Sequence, residues 1–225
     1  MKKSNIFGLL AILGLSAMIL ASCGGGSGSG KKLATNELLG DLPNLVYQKA
    51  INDSIRDAKQ HAEREKFKED NSKNFDKSVG MKWKKMEEEF DAEQKAANDE
   101  VSAEAEKIKP SLVNKALPFE VEEGCGYEVS DLKIIDVDGN WYPSAKVEFE
   151  VKITDEKAVK IYQWGTLDFG FHLLDKDGNL LDKDHTTITM SQKNGTTAKG
   201  HFYLVHKRNA RQMVDFAKIK FIKVK

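Results

Sequence analysis

Near Pro118 the spacing of apolar residues changes from three-and-four to two, and this change constrains the fold most. Up to that proline the chain is rich in Glu, Lys, Ala and Gln, which are good helix formers. After it, Val147, Phe149, Val151 and Ile153 alternate with Lys146, Glu148, Glu150 and Lys152. That is the period of a half-buried strand. The expected class is α+β, a helical region over 33–117 followed by an antiparallel β region over 118–225.

Within 33–117, TNELLGD reads as a short turn with Thr35 as cap and Gly40 as stop. Pro43 suits a first helical position. From Asn44 to about Glu69, Ile51, Ile55, Ala58 and Ala62 recur at intervals of 4, 3 and 4 and predict one apolar stripe. Asp70 to Asn74 is a polar turn. A second helix is expected from Asp76 to Lys109, with Trp83, Phe90 and Ala97 seven apart and two flanking sets, Val79/Met86 and Val101/Ile108. Pro110 is expected to end it. Two such helices with a short turn make an antiparallel hairpin. Its stripes are thin and alanine-rich, so it needs another surface: the other domain, another copy of the chain or another protein.

In the second region, Tyr127 to Val137 and Lys146 to Ile153 read as strands joined at Asp138-Gly139-Asn140. Phe169, Phe171 and Leu173 alternate before a turn at Asp177-Gly178, and Phe202, Leu204, Ile219, Phe221, Ile222 and Val224 supply later strands. Short strands with Gly, Asn and Asp turns predict a β-sandwich. Phe171-His172-Leu173-Leu174-Asp175 and the turn after it resemble the FxLYD-type immunoglobulin-like domains of bacterial lipoproteins, with Leu174 where the motif has Tyr. The resemblance implies an Ig-like β-sandwich of accessory or binding type.

The first residues carry an address. Lys2 and Lys3 precede an uncharged apolar run from Ile6 to Leu20, and Ala21 and Ser22 follow, the layout of a secretory signal over 1–22. Leu20-Ala21-Ser22-Cys23 resembles the bacterial lipobox, in which cleavage precedes a cysteine that receives a diacylglycerol and commonly a third acyl chain. The resemblance implies a palmitate-type lipid anchor on Cys23 and the lipid bilayer as a partner. Two or more chains anchor durably where one is marginal. Residues 23–32 then read as the lipidated cysteine and a Gly/Ser linker spanning roughly 15 Å. Gly24, where inner-membrane lipoproteins often have Asp, points to the outer membrane. Lipobox followed by Gly and Ser resembles lipoproteins of the Bacteroidota, and the lack of acidic residues before Glu37 favours a periplasm-facing protein.

Composition narrows the function. Lys plus Arg equals Asp plus Glu, 35 each; without 1–22 the balance is 33 to 35, leaving no basic field for nucleic acid. A mean hydropathy of −0.51 argues against a polytopic membrane protein. Asp136-Val-Asp138-Gly-Asn140 and Asp175-Lys-Asp177-Gly-Asn179 lack the later ligands of an EF-hand and read as hairpin turns. His172, His185, His201 and His206 are scattered, without H-E-x-x-H or C-x-x-C, and no metal or cofactor is expected. Cys125 lies between Gly124 and Gly126, with an inert buried thiol favoured over an intermolecular disulfide. No catalytic spacing occurs, so the expected role is a non-enzymatic interaction or structural module with an envelope protein partner. The alternative is small-ligand or glycan binding, with Trp141, Tyr142, Tyr162 and Trp164 as candidate stacking residues.

Overall fold

A computed structural model describes residues 32–72, 76–139, 141–162 and 165–224. The leader expected over 1–22, Cys23 and Trp164 lie outside them. Two long helices precede a mostly antiparallel β region, an α+β chain. Helix α1 spans Leu42–Asp70 and α2 spans Lys77–Leu112. At 1.5 Å per residue they are roughly 43 and 54 Å long. Among the described residues, no helix is long and apolar enough to cross a membrane.

The helix ends follow their sequence, with one exception. Pro43 sits in the first turn of α1, and Asp76 caps α2 by accepting from the Ser78 amide at 3.2 Å. Pro110 does not end α2 but lies in its last turn, with its ring exposed. The helix continues to Leu112, which is fully buried, and the Val113 amide closes on Lys109. Burying Leu112 is what the extra residues achieve. Nor does TNELLGD form a helical turn capped by Thr35. Asn36 closes a tight loop on Gly40, and its Oδ1 accepts from the Leu38 and Leu39 amides. Its Nδ2 donates to the carbonyls of Val214 and Phe216 at 2.9 and 2.8 Å, which pins the entering chain to the β region.

The strands are β1 Phe119–Val121, β2 Tyr127–Asp138, β3 Ser144–Ile153, β4 Lys160–Ile161, β5 Thr166–Asp175, β6 Leu180–Thr189, β7 Thr197–Tyr203 and β8 Phe216–Ile222. One sheet is β2–β3–β7, antiparallel throughout. In the other, β6 pairs along one side of β5, while β8 and then the short β4 share its opposite side. Among the described strands, β1 departs from an antiparallel arrangement by pairing parallel to β8.

Both sheets contribute to one aromatic core. Phe149 of β3 lies 6.4 Å from Phe169 of β5 and 5.2 Å from Phe221 of β8 between ring centroids. Phe171 and Phe202 approach to 4.2 Å. Gly200 permits this packing, because a Cβ there would meet the Phe149 ring at 2.6 Å and Ile188 at 2.5 Å. The base of the helical hairpin belongs to the same core through Leu42, Val46, Ala105 and Leu112.

Candidate functional site

Beside the apolar base, the hairpin and the β region also meet at the β2–β3 turn, and there the contacts are polar. Gly139 lets α2 approach closely; a Cβ there would lie 3.2 Å from the Ser102 Cα. The Ser102 hydroxyl donates to the Gly139 carbonyl at 2.7 Å, and Lys109 pairs with Asp136 at 2.7 Å. On the other side Tyr142 donates its hydroxyl to Asp53 Oδ2 of α1 at 2.7 Å.

Asp53, itself buried, is the hub of a half-buried network. Lys49 lies 3.2 Å from it and donates to Asn98 Oδ1 of α2 at 2.7 Å. Arg56 binds Asp53 and donates to Gln94 of α2 at 3.1 Å. Gln94 in turn donates to Asn98 at 3.1 Å. The Lys49 and Lys207 ammoniums stand 5.0 and 5.4 Å from the Tyr142 ring centroid. Burial pushes the Asp53 carboxyl upward, but hydrogen bonds from Tyr142, Arg56 and Lys49 outweigh it and leave it below the ordinary value. Tyr142 is pushed well up, first by burial and then by the Asp53 carboxylate.

This network overturns the predicted face of α1. Leu42, Val46, Lys49, Asp53 and Gln60 are its inward residues, repeating at helical intervals. Ile51 is half-buried, whereas Ile55, Ala58 and Ala62 are exposed on the opposite side. Ile55 is 44% exposed. Tertiary anchoring at Leu42 and Val46 fixes which side of α1 turns inward, and that side carries the polar residues. Helix α2 behaves as its periodicity predicts, with Phe90 buried and Trp83 and Ala97 half-buried.

Beyond Asp53 and Ser102 the helices run on for roughly 25 and 37 Å. Arg64 forms two 2.8 Å hydrogen bonds to Glu87 and lies 4.8 Å from the Phe90 ring. Phe67 meets Trp83 edge-on at 5.4 Å. Among the described residues of this overhang, the ion pairs and ring contacts run along or between the two helices.

The candidate stacking residues do not form one platform. Trp141 is 83% exposed at the β2–β3 turn. Tyr142, beside it, is half-buried and engaged by Asp53. Tyr162 is exposed and binds the Thr166 carbonyl through its amide, at the start of β5. Tyr127 stacks on Phe169 near that start and pairs with Ile153, whereas the Trp141 turn follows the Asp138–Ser144 pair. The ten residues of β3 separate these ends by roughly 30 Å. An open apolar depression of about 470 Å³ lies near Tyr162, with Ile161, Leu167 and Met190 in its wall and no titratable side chain lining it.

Asp175 accepts from the Asp177 and Asn179 amides at 2.9 and 2.8 Å, which is turn chemistry. Asp136 is occupied by Lys109. Among the described residues no group of three His, Cys, Asp or Glu side chains could hold a metal ion. Cys125 is 2% exposed, and burial raises its thiol. His206 lies 3.6 Å from Asp184, beside Arg208, which pairs with Asp182 and Asp184. These contacts tie the 205–211 loop to β6.

No family model matches the chain, and no curated protein or solved structure is similar to it.

Proposed function

We propose that this chain is a lipoprotein of the bacterial cell envelope, held at the membrane by acyl chains on Cys23, and that it works as a non-enzymatic protein-interaction or structural module. The outer membrane, facing the periplasm, is the proposed location, and a second envelope protein the proposed partner. The β region is proposed to be an FxLYD-type, Ig-like β-sandwich. Two sheets that share an aromatic core, and the inward Phe169, Phe171 and Leu173, support that assignment.

The observation that carries the interaction reading is the side of α1 that faces solvent. Ile55, Ala58 and Ala62 form an apolar line on a hairpin that overhangs the β region. Beyond Val46 the inward positions of α1 are the polar Lys49, Asp53 and Gln60, while Ile55, Ala58 and Ala62 lie among exposed charges where another protein can reach them.

The anchor is tested by fractionating cells that express the full chain. Cys23→Ser is expected to move it from membranes to the soluble fraction; unchanged fractionation defeats the lipoprotein reading. The interaction is tested with a photo-crosslinking residue at Ala58 in intact cells. One discrete adduct, lost in Ile55→Glu with the helical circular dichroism unchanged, is expected. Labelling without a discrete adduct defeats it.

A further inference from the structure

The overhang has too little interior to share the stability of the rest. Of residues 57–72 and 76–93, only Gln60 and Phe90 are buried. Gln60 is 7% exposed, and its Nε2 has no hydrogen-bond partner. A buried amide donor without an acceptor weakens the seam that it occupies. The other contacts include ion pairs that are mostly exposed, each contributing little, the Phe67–Trp83 edge contact, the Arg64–Glu87 pair and Arg64 over the Phe90 ring, with Val79 and Met86 only half-buried. Paired helices without a packed face are marginal in water.

The base is different. Leu42, Val46, Ala105 and Leu112 sit in the shared core. Between core and overhang lies the Lys49, Asp53, Arg56, Gln94, Asn98 and Tyr142 network. It joins α1, α2 and the β2–β3 turn at one level. Its members hydrogen-bond one another, so breaking it leaves the buried Lys49 and Asp53 short of partners together.

We infer that the hairpin beyond Arg56 and Gln94 is an arm that opens and closes independently of the β region, and that the Asp53-centred network is the stop at which opening halts. Opening separates Phe67 from Trp83 and uncovers Phe90, so the closed arm holds apolar surface that becomes available without any loss of the core. The inference holds whether or not a protein partner exists.

Hydrogen exchange on the full chain, followed by mass spectrometry of its peptides, tests it. Amides in 57–72 and 76–93 are expected to lose protection about tenfold or more below those of 42–53, 102–112 and the β5 and β8 strands. Tyr142→Phe is expected to carry fast exchange past the stop, into 42–53 and 102–112, and to leave β5 and β8 unchanged. Gln60→Leu is expected to slow exchange in the arm alone. Arm protection equal to that of β5 overturns the inference. So does a Tyr142→Phe effect that is absent or uniform along the chain, or a Gln60→Leu effect that is absent from the arm.

Discussion

The Tyr142 hydroxyl and Asp53 Oδ2 lie 2.7 Å apart, joining a β-turn to a helix 89 residues earlier in the chain. Asp53 is 9% exposed and receives Lys49 and Arg56 as well. Removing the hydroxyl leaves a buried carboxylate short of one donor. Tyr142→Phe is therefore expected to destabilise the docked hairpin by about 1–3 kcal/mol. Urea unfolding followed at 222 nm measures it, as an earlier loss of helical signal.

The same carboxylate makes docking acid-sensitive. Asp53 is held below its ordinary value, so its contribution is complete above the unfolded carboxylate value, near pH 4, and is lost as pH falls through the lower folded value. Asp182, pushed up by burial but held down more strongly by Asn209, the Lys183 amide and Arg208, acts in the same direction at the 205–211 loop. Stability is expected to decline below about pH 4. Asp53→Asn is expected to flatten that part of the curve in a melting series from pH 7 to pH 2.

Gly200→Ala is expected to be costly for a reason of space. The new methyl would stand 2.5 Å from Ile188 and 2.6 Å from the Phe149 ring, inside a core where Phe149 also packs on Phe169 and Phe221. Overpacking of this kind costs about 1–3 kcal/mol. Thermal unfolding of the β region reads it out, and an unchanged midpoint would show that the rings move aside freely.

Cys125 is expected to be chemically quiet in the folded protein. Its side chain is 2% exposed, and burial raises its thiol, so little thiolate is present near neutral pH. Ellman's reagent should react slowly with the native chain and quickly in urea. A disulfide-linked dimer under oxidising conditions would contradict this burial.

Trp141 is expected to contribute little to stability. It is 83% exposed, so Trp141→Ala should change the unfolding free energy by less than about 0.5 kcal/mol. Denaturant melts of the two proteins settle it.

What could be read from the sequence followed from how burial leaves its mark. In β3 only one side of the strand meets the core, so Val147, Phe149, Val151 and Ile153 alternate with charges, and all four are buried. The interval of seven in α2 likewise marks the side that turns towards α1. In α1 the rule failed because apolar residues were counted as inward residues. Ile55, Ala58 and Ala62 have the right period on the outer side, while Lys49, Asp53 and Gln60 repeat equally well within. A polar seam has no hydrophobic period, and its partners Tyr142, Gln94 and Asn98 are distant in sequence. Pairing of β1 with β8 was equally silent, because three residues are too few to show a period. Pro110 misled because a proline in the last turn forfeits little when Leu112 has a core to enter.

The seat of Asn36 has a mechanical consequence. Its side chain grips the carbonyls of Val214 and Phe216 just ahead of the first turn of α1. Force applied at Lys32 would meet two sets of contacts at once, those of Lys32, Leu33 and Thr35 to Asp41 and Asn44 at the start of α1 and those of Asn36 to the start of β8. The turns of α1 beyond Asn44 stand behind both sets, so the start of the helix and the start of β8 would share that load.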